Sequence, residues 1–424
     1  MQQPVITMLG SAGGVARSVL SILNKSAADQ NDPLHLLLKH AQIHLIDQHQ
    51  KDRAYYDSLL PNLKDSVFLH EFDLKNTAAF TSHLNTTGTC TVIDVSWADT
   101  AEMLQCCNEA GAGYINTALE NTMIDENEDE FAGFPLIERL RRFEKARTSI
   151  QSTKAIIGSG MNPGAVQWMA LELMKKKPDQ LPLACYIVEE DTSFFKDAQD
   201  ASPDTIYTTW APECFLDEAI ASYPMFMKER TPLFLYEDVY DAEFQVTLGK
   251  KAFKGCLMPH EEVYTLCRMF NMEGGFFYKV NDHTTNLIRS NLHQADELWN
   301  FDMEVLDPRK AELEGEDLVG VLLVYENEEL YMYNVLDNAS IFQEFQTNAT
   351  YFQVACGVYA GLSVLLKDSI PDGVYYVDEL LTSCQTNYGD YLSYYMKEFV
   401  TGRNNKTDGL LLERLRIRNK ETPD

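Results

Sequence analysis

The residues with the plainest chemical meaning stand at the start of the chain. There Val5-Ile6-Thr7-Met8-Leu9 runs into Gly10-Ser11-Ala12-Gly13-Gly14 and then Val15. A β-branched, apolar run meets a small-residue turn, and an apolar pattern through Val15, Leu20, Ile22 and Leu23 follows, which reads as strand, turn, helix. That arrangement presents backbone N–H groups and a helix N-terminus to a pyrophosphate. The G-x-G-x-x-G fingerprint falls on Ser11, Gly13 and Ala16, with Gly10 one place early to supply the tight turn. A second apolar run, Ala41 to Asp47, ends on an acid. A carboxylate at that tip accepts hydrogen bonds from ribose hydroxyls and repels a 2′-phosphate, so the expected cofactor is NAD rather than NADP. Gly10, Ser11, Ala12, Gly13, Gly14, Val15 and Asp47 are the cofactor contacts this reading expects.

A second set of chemically capable residues lies mid-chain. Val188-Glu189-Glu190-Asp191-Thr192 closes an apolar run with three carboxylates. Thr208-Thr209-Trp210 precedes Glu213, Asp217 and Glu218, and Met258-Pro259-His260-Glu261-Glu262 opens a helical pattern. Sequence alone leaves open which of Glu189, Glu190 and Asp191 points inward, and whether Glu213 or Glu218 does. Tyr264 stands four residues after His260, so the H-E-x-x-H zinc motif is absent, and no metal is expected. No G-x-S-x-G occurs either.

Strand-like runs alternate with helical ones to position these groups. After Asp47 come Ser66 to His70, Cys90 to Val95, Gly113 to Thr117 and Lys154 to Gly158, with helical patterns at Ala98 to Ala110 and Leu136 to Thr148. This alternation predicts an α/β fold with an N-terminal Rossmann doubly wound parallel sheet over residues 1–160. Ligand sites in such sheets form at the carboxyl ends of strands, where Asp94, Glu120 and Asn162 lie. An α+β substrate and dimerisation domain is expected over 161–348, with Leu318 to Tyr325 pairing with Leu330 to Val335. C-terminal helices over 349–400 are expected to pack back on the first domain, and 401–424 to form a polar, partly helical tail.

The formal net charge of −29 argues against a nucleic-acid partner and favours small cations. No apolar run reaches the roughly 18 residues of a membrane span, and no basic leader with a long apolar stretch opens the chain, so no membrane partner is expected. Nine scattered cysteines without a C-x-x-C pair fit reduced thiols in a cytoplasmic protein. The run Asp125 to Glu130 reads as a solvated loop and not a calcium loop, because its sixth position is Glu130 where glycine is needed.

Several segments, in order from residue 5 to about 395, resemble the bacterial homospermidine synthases of the saccharopine dehydrogenase-like group. They are Ile93-Asp94-Val95-Ser96, Tyr114 to Glu120, Gly160-Met161-Asn162-Pro163-Gly164, Glu189 to Thr192, Thr209-Trp210 with Glu218, Pro259 to Glu262, Leu318 to Leu323, and Asn348-Ala349-Thr350 with Gln353-Val354. The resemblance implies a tightly bound NAD, putrescine as substrate, and transfer of an aminobutyl group by an internal hydride cycle. It implies that Asp94, Glu120, Glu189, Trp210, Glu218, His260 and Asn162 surround the substrate, with Asp94, Val95 and Asn162 beside the cofactor. In those roles Glu120, Glu189 and Glu218 hold an ammonium, Trp210 stacks on a cation, and His260 accepts an amine proton. A homodimer is implied as well. Two alternatives stay open: a dehydrogenase that couples an amine to a carbonyl acid, as carboxyspermidine and saccharopine dehydrogenases do, and an NAD-binding polyamine sensor without turnover.

Overall fold

The computed structural model describes residues 3–418, which form two units. Met1–Glu130, Ile137–Ala165 and Tyr351–Lys397 make the first, and Phe131–Leu136, Val166–Thr350 and Glu398–Asp424 the second.

In the first unit, β1 (Val5–Leu9) sits at the centre of a parallel sheet because both its faces are buried, with Ile6, Met8 and Leu9 fully covered. Helix α1 (Gly14–Ala28) leads to β2 (Gln42–Asp47) and β3 (Val67–Glu71), and α2 (Thr77–Thr87) to β4 (Thr91–Asp94). β5 (Gly113–Asn116) and β6 (Lys154–Ile157) complete the expected set. The order β3-β2-β1-β4-β5-β6 is that of the Rossmann fold. A seventh strand, Gly373–Tyr376, pairs in parallel with β6 at the edge. The expectation of helices alone after residue 349 therefore needs correction. Three half-buried residues and a buried Tyr376 leave no alternation to read.

The long helix Ala349–Lys367 is apolar enough and long enough to cross a membrane, yet 83% of that stretch is buried inside the protein, the pattern of a core helix. Gly357 lets it lie against the backbone of Gly160, where a Cβ would have no room. The run Asp125 to Glu130 is not a simple loop: short helices span Thr122–Asp125 and Glu128–Phe131.

The second unit is built on β7 (Ala184–Asp191), whose chain continues through α3 (Pro212–Ala219), β8 (Ala242–Leu248), β9 (Lys251–Met258), α4 (Glu261–Phe270) and β10 (Glu273–Lys279). β11 (Glu316–Val324) and β12 (Glu329–Asp337) form the expected antiparallel pair. β13 (Val400–Asn404) and β14 (Leu415–Arg418) close the sheet, in the order β13-β12-β11-β7-β10-β9-β8-β14. The polar, partly helical tail expected from 401 does carry a short helix, Leu411–Arg414, but it lies between two edge strands that the sequence reading did not expect, while residues 419–424 lie outside the described residues. Polar side chains suit strands with one solvated face. Arg414, fully buried, anchors this end by pairing with buried Glu329 and lying 5.0 Å over the Tyr186 ring.

One face of the second sheet is apolar, with Tyr186, Phe244, Leu257, Phe277 and Leu322 in a single cluster. Side chains alternate along a strand, so Glu189 and Asp191 of β7 and Phe276 and Tyr278 of β10 occupy the other face.

Candidate functional site

In the first unit the glycine turn has the shape a dinucleotide needs. Gly10 has φ +72°, and a Cβ there would stand 2.5 Å from the Val95 carbonyl oxygen, so only glycine lets the turn close over the end of β4. Gly13 is the N-cap of α1 and contributes no side chain, leaving the first-turn N–H groups facing outward from the helix end. The Ser11 N–H donates to the Ile46 carbonyl at 3.2 Å, and buried Ser11 lies 3.3 Å from the Tyr56 hydroxyl, which ties the turn to β2. Asp47, at the tip of β2, accepts from the Ala12 N–H at 2.9 Å and the His49 N–H at 2.8 Å. Each carboxylate oxygen keeps lone-pair capacity for a hydroxyl. These residues fit NAD.

Asp94 lies at the end of β4, as expected, but its environment redirects its role. One oxygen accepts from the Ser96 N–H at 3.0 Å and the Ser96 hydroxyl at 2.6 Å; the other accepts from Tyr114 Oη at 2.8 Å. Burial raises its pKa, against which these bonds act. Asp94 is therefore the holder of the loop beginning at Val95 rather than an open carboxylate. Glu120 is half-buried beyond β5, with its N–H donating to Thr100 Oγ1 at 2.9 Å. Asn162 is half-buried in a loop that closes on itself, Gly160 N–H to Pro163 carbonyl at 2.8 Å and Ala165 N–H to Gly160 carbonyl at 3.0 Å. Asn116, which the sequence reading passed over, fixes this region by accepting from the Gly158 N–H at 2.9 Å.

The second unit gathers the mid-chain residues. Register places Tyr278 opposite Glu189, and Asp317 of β11 opposite Asp191. All four are buried. Asp191 accepts from the Ser193 N–H at 2.9 Å and Thr209 Oγ1 at 2.6 Å. The Thr350 hydroxyl donates to Asp317. Burial, then the charges of Glu189 and Asp191, push the Asp317 pKa well up, and burial raises that of Asp191 too. The Tyr278 hydroxyl feels the same three acids and is also raised, first by burial. Trp210 donates its indole N–H to that hydroxyl at 3.3 Å. Glu190 points the other way, to Lys279 at 3.3 Å, which settles Glu189 and Asp191 as the inward pair.

A ring sequence continues this face. Phe276 stacks on Tyr278 with centroids 5.6 Å apart, and the His260 ring lies 4.6 Å from Phe276. His260 caps α4; its Nδ1 bonds Glu262, which is fully buried, and its Nε2 is 3.9 Å from Glu218 on α3. Glu213 on the same helix is exposed, so Glu218 is the inward acid. Burial lowers the His260 pKa, but Glu262, Glu218 and Glu261 outweigh it and raise the value to about 9. At neutral pH His260 carries its proton. Three carboxylates favour the imidazolium, and a ring in that state can give a proton rather than take one.

Asp317, Tyr278 and Glu262 belong to this face and were absent from the expected set. Asp317 precedes the apolar run Leu318 to Leu323, and only strand register reveals its neighbours. Glu262 stood in view beside His260.

No known family and no curated protein matches the sequence. Among solved structures, a saccharopine dehydrogenase (L-Glu forming) from Saccharomyces cerevisiae aligns at TM-score 0.56 and 11% identity, covering 94% of this chain and all of that one. A putative oxidoreductase from Thermotoga maritima covers 94% of this chain and all of its own at TM-score 0.38 and 9% identity. GenD2 from gentamicin A biosynthesis, in complex with NAD, covers 95% of this chain and 97% of its own at TM-score 0.37 and 7% identity. Only the first bears on architecture, and what it shows is that this chain is similar in fold to a saccharopine dehydrogenase.

Proposed function

We propose that the chain is an NAD-dependent oxidoreductase acting on a diamine, by a transfer of the homospermidine synthase type. The observation that supports this most is the acid face of the second unit. Glu189, Asp191 and Asp317 lie buried on adjacent strands and raise the proton affinity of Asp317 and Tyr278. Crowding buried carboxylates is costly, and a diammonium ligand offsets that cost. A substrate carboxylate would call for a planar arginine fork. Segments 188–192, 208–218, 258–262 and 314–320 contain neither Arg nor Lys.

Bound NAD supplies a hydride acceptor that later returns the same hydride. In this reading the acid face holds the distal ammonium and Trp210, its plane fixed by Tyr278, covers the cationic carbon–nitrogen bond. NAD bound at the glycine turn would take hydride from the amine-bearing carbon and return it to the new carbon–nitrogen double bond, so no net NADH would form. The reacting amine would give up its proton to solvent, a second diamine nitrogen would take the place of the first, and His260 would protonate the departing ammonia. A His260 of pKa about 9 is matched to amines better than an ordinary histidine.

A second reading is reductive coupling of an amine to a carbonyl acid. It uses the same cofactor turn, and the fold likeness to a saccharopine dehydrogenase favours it. Mass spectrometry of the products from purified protein, NAD and putrescine distinguishes the two. Homospermidine with ammonia and no accumulated NADH supports the transfer. Product only when NADH and a carbonyl acid are added rejects it for the coupling reaction.

A further inference from the structure

Three histidines from three elements of the first unit converge. His44 is on β2, His70 on β3 and His83 on α2. One ring nitrogen from each lies within 4.8 Å of the others. His44 Nδ1 is 2.9 Å from His70 Nε2, and the His70 and His83 rings meet edge-on at 4.6 Å. His83 Nε2 is 3.5 Å from the buried Thr7 hydroxyl.

A cluster of aromatic rings would account for the stacking, since Phe68 lies on His44 with centroids 4.9 Å apart. It does not account for the nitrogens. His44 is 7% exposed, and its Nε2 is buried without a hydrogen-bond partner. A buried polar atom in that condition calls for a ligand. The neutral ring is the form that binds metal.

We propose that His44, His70 and His83 form a binding site for a divalent transition-metal ion of the zinc class. Three imidazoles and an open fourth position are a familiar ligand set for Zn²⁺, with metal–nitrogen bonds of about 2.0–2.1 Å. Imidazole donors select zinc, nickel, cobalt or copper over magnesium and calcium, which prefer oxygen. His70 and His83 are half-buried, which leaves them accessible to an ion from solvent, and His44 is buried. The bound ion joins α2 to β2 and β3. Such a site has no local motif, because its ligands are scattered along the chain.

The test uses untagged full-length protein, since a histidine tag would itself take up metal. The protein is stripped with chelator, dialysed against Zn²⁺ and analysed for metal content, alongside His70→Gln and His83→Gln. One zinc per chain is expected for the wild type and none for either variant. At zinc a hundredfold above its dissociation constant, the folded-to-unfolded ratio of the wild type rises about 100-fold. The variants show no such rise, while their metal-free melting matches the wild type. Magnesium in place of zinc gives no shift. Co²⁺ added to the wild type gives the strong visible absorption of a four-coordinate nitrogen site, a readout independent of the variants. No retained zinc, equal zinc in wild type and both variants, or a cobalt spectrum of the free aqua ion overturns the proposal.

Discussion

Glu262→Gln tests the charge network that sets His260. Glu262 is fully buried; one oxygen bonds His260 Nδ1 and the other, Oε1, is buried without a hydrogen-bond partner. The His260 pKa stands at about 9 against an unfolded value near 6.5. At about 1.4 kcal/mol per unit, the proton on His260 stabilises the fold by about 3 kcal/mol. The sign follows from the direction of the shift. A histidine with a raised folded pKa contributes in full below pH 6.5 and loses that contribution as pH rises through about 9. Removing a neighbouring carboxylate lowers such a pKa by about 1–3 units. In Glu262→Gln the decline in stability between these pH values therefore flattens, and the histidine titrates closer to neutrality. Urea unfolding at a series of pH values measures the first effect. Histidine NMR, with His260→Gln to assign the resonance, measures the second. Parallel stability curves for wild type and variant, or a wild-type His260 titrating below pH 7, would refute the reasoning.

Asp317→Asn removes one of three crowded acids, so the fold gains stability at neutral pH and, on the proposed function, putrescine binding weakens roughly tenfold or more. Thermal melting and calorimetric titration read the two effects, and a loss in both would mean that Asp317 serves packing instead. Gly10→Ala forces a side chain into a left-handed position beside the Val95 carbonyl. It should cost at least about 1–2 kcal/mol and weaken NAD binding, as denaturation and fluorescence titration would show. Asp47→Ala should raise NADP affinity relative to NAD; an unchanged ratio of dissociation constants would remove Asp47 from the ribose site. Trp210→Ala should cut turnover more than tenfold with NAD still bound, and full activity would take the indole out of the reaction.

The first sheet was legible because each of its six leading strands carries its own apolar run, and their order follows from right-handed crossovers. The glycine turn was legible because backbone geometry at Gly10 restricts the residue type. The edge strands Gly373–Tyr376, Val400–Asn404 and Leu415–Arg418 were not, because each is too short for period or composition to separate it from coil. The acids divide in the same way. Glu189 ends a readable strand, whereas Asp317 acquires its meaning from pairing with Asp191, a contact spanning more than a hundred residues. His44, His70 and His83 are the extreme case, each unremarkable within its own element.

Glu189 and Asp94 show why a carboxylate at a strand end is not by itself a binding group. Asp94 has a hydroxyl or N–H on each oxygen, and those bonds hold a loop that any Rossmann sheet must build. Its burial is compensated within the fold. Asp191 is satisfied in the same manner, by Ser193 and Thr209. Asp317 differs, since burial and two neighbouring acids drive its pKa well up while one threonine hydroxyl acts against them. A fold gains nothing structural from that third acid that an asparagine or threonine would not supply. Positions that oppose stability mark where function constrains the chain. On that ground the proposed amine recognition rests on Glu189, Asp191 and Asp317 of the second unit, and Asp94, with both oxygens bonded within the fold, is read as a positioning residue of the first.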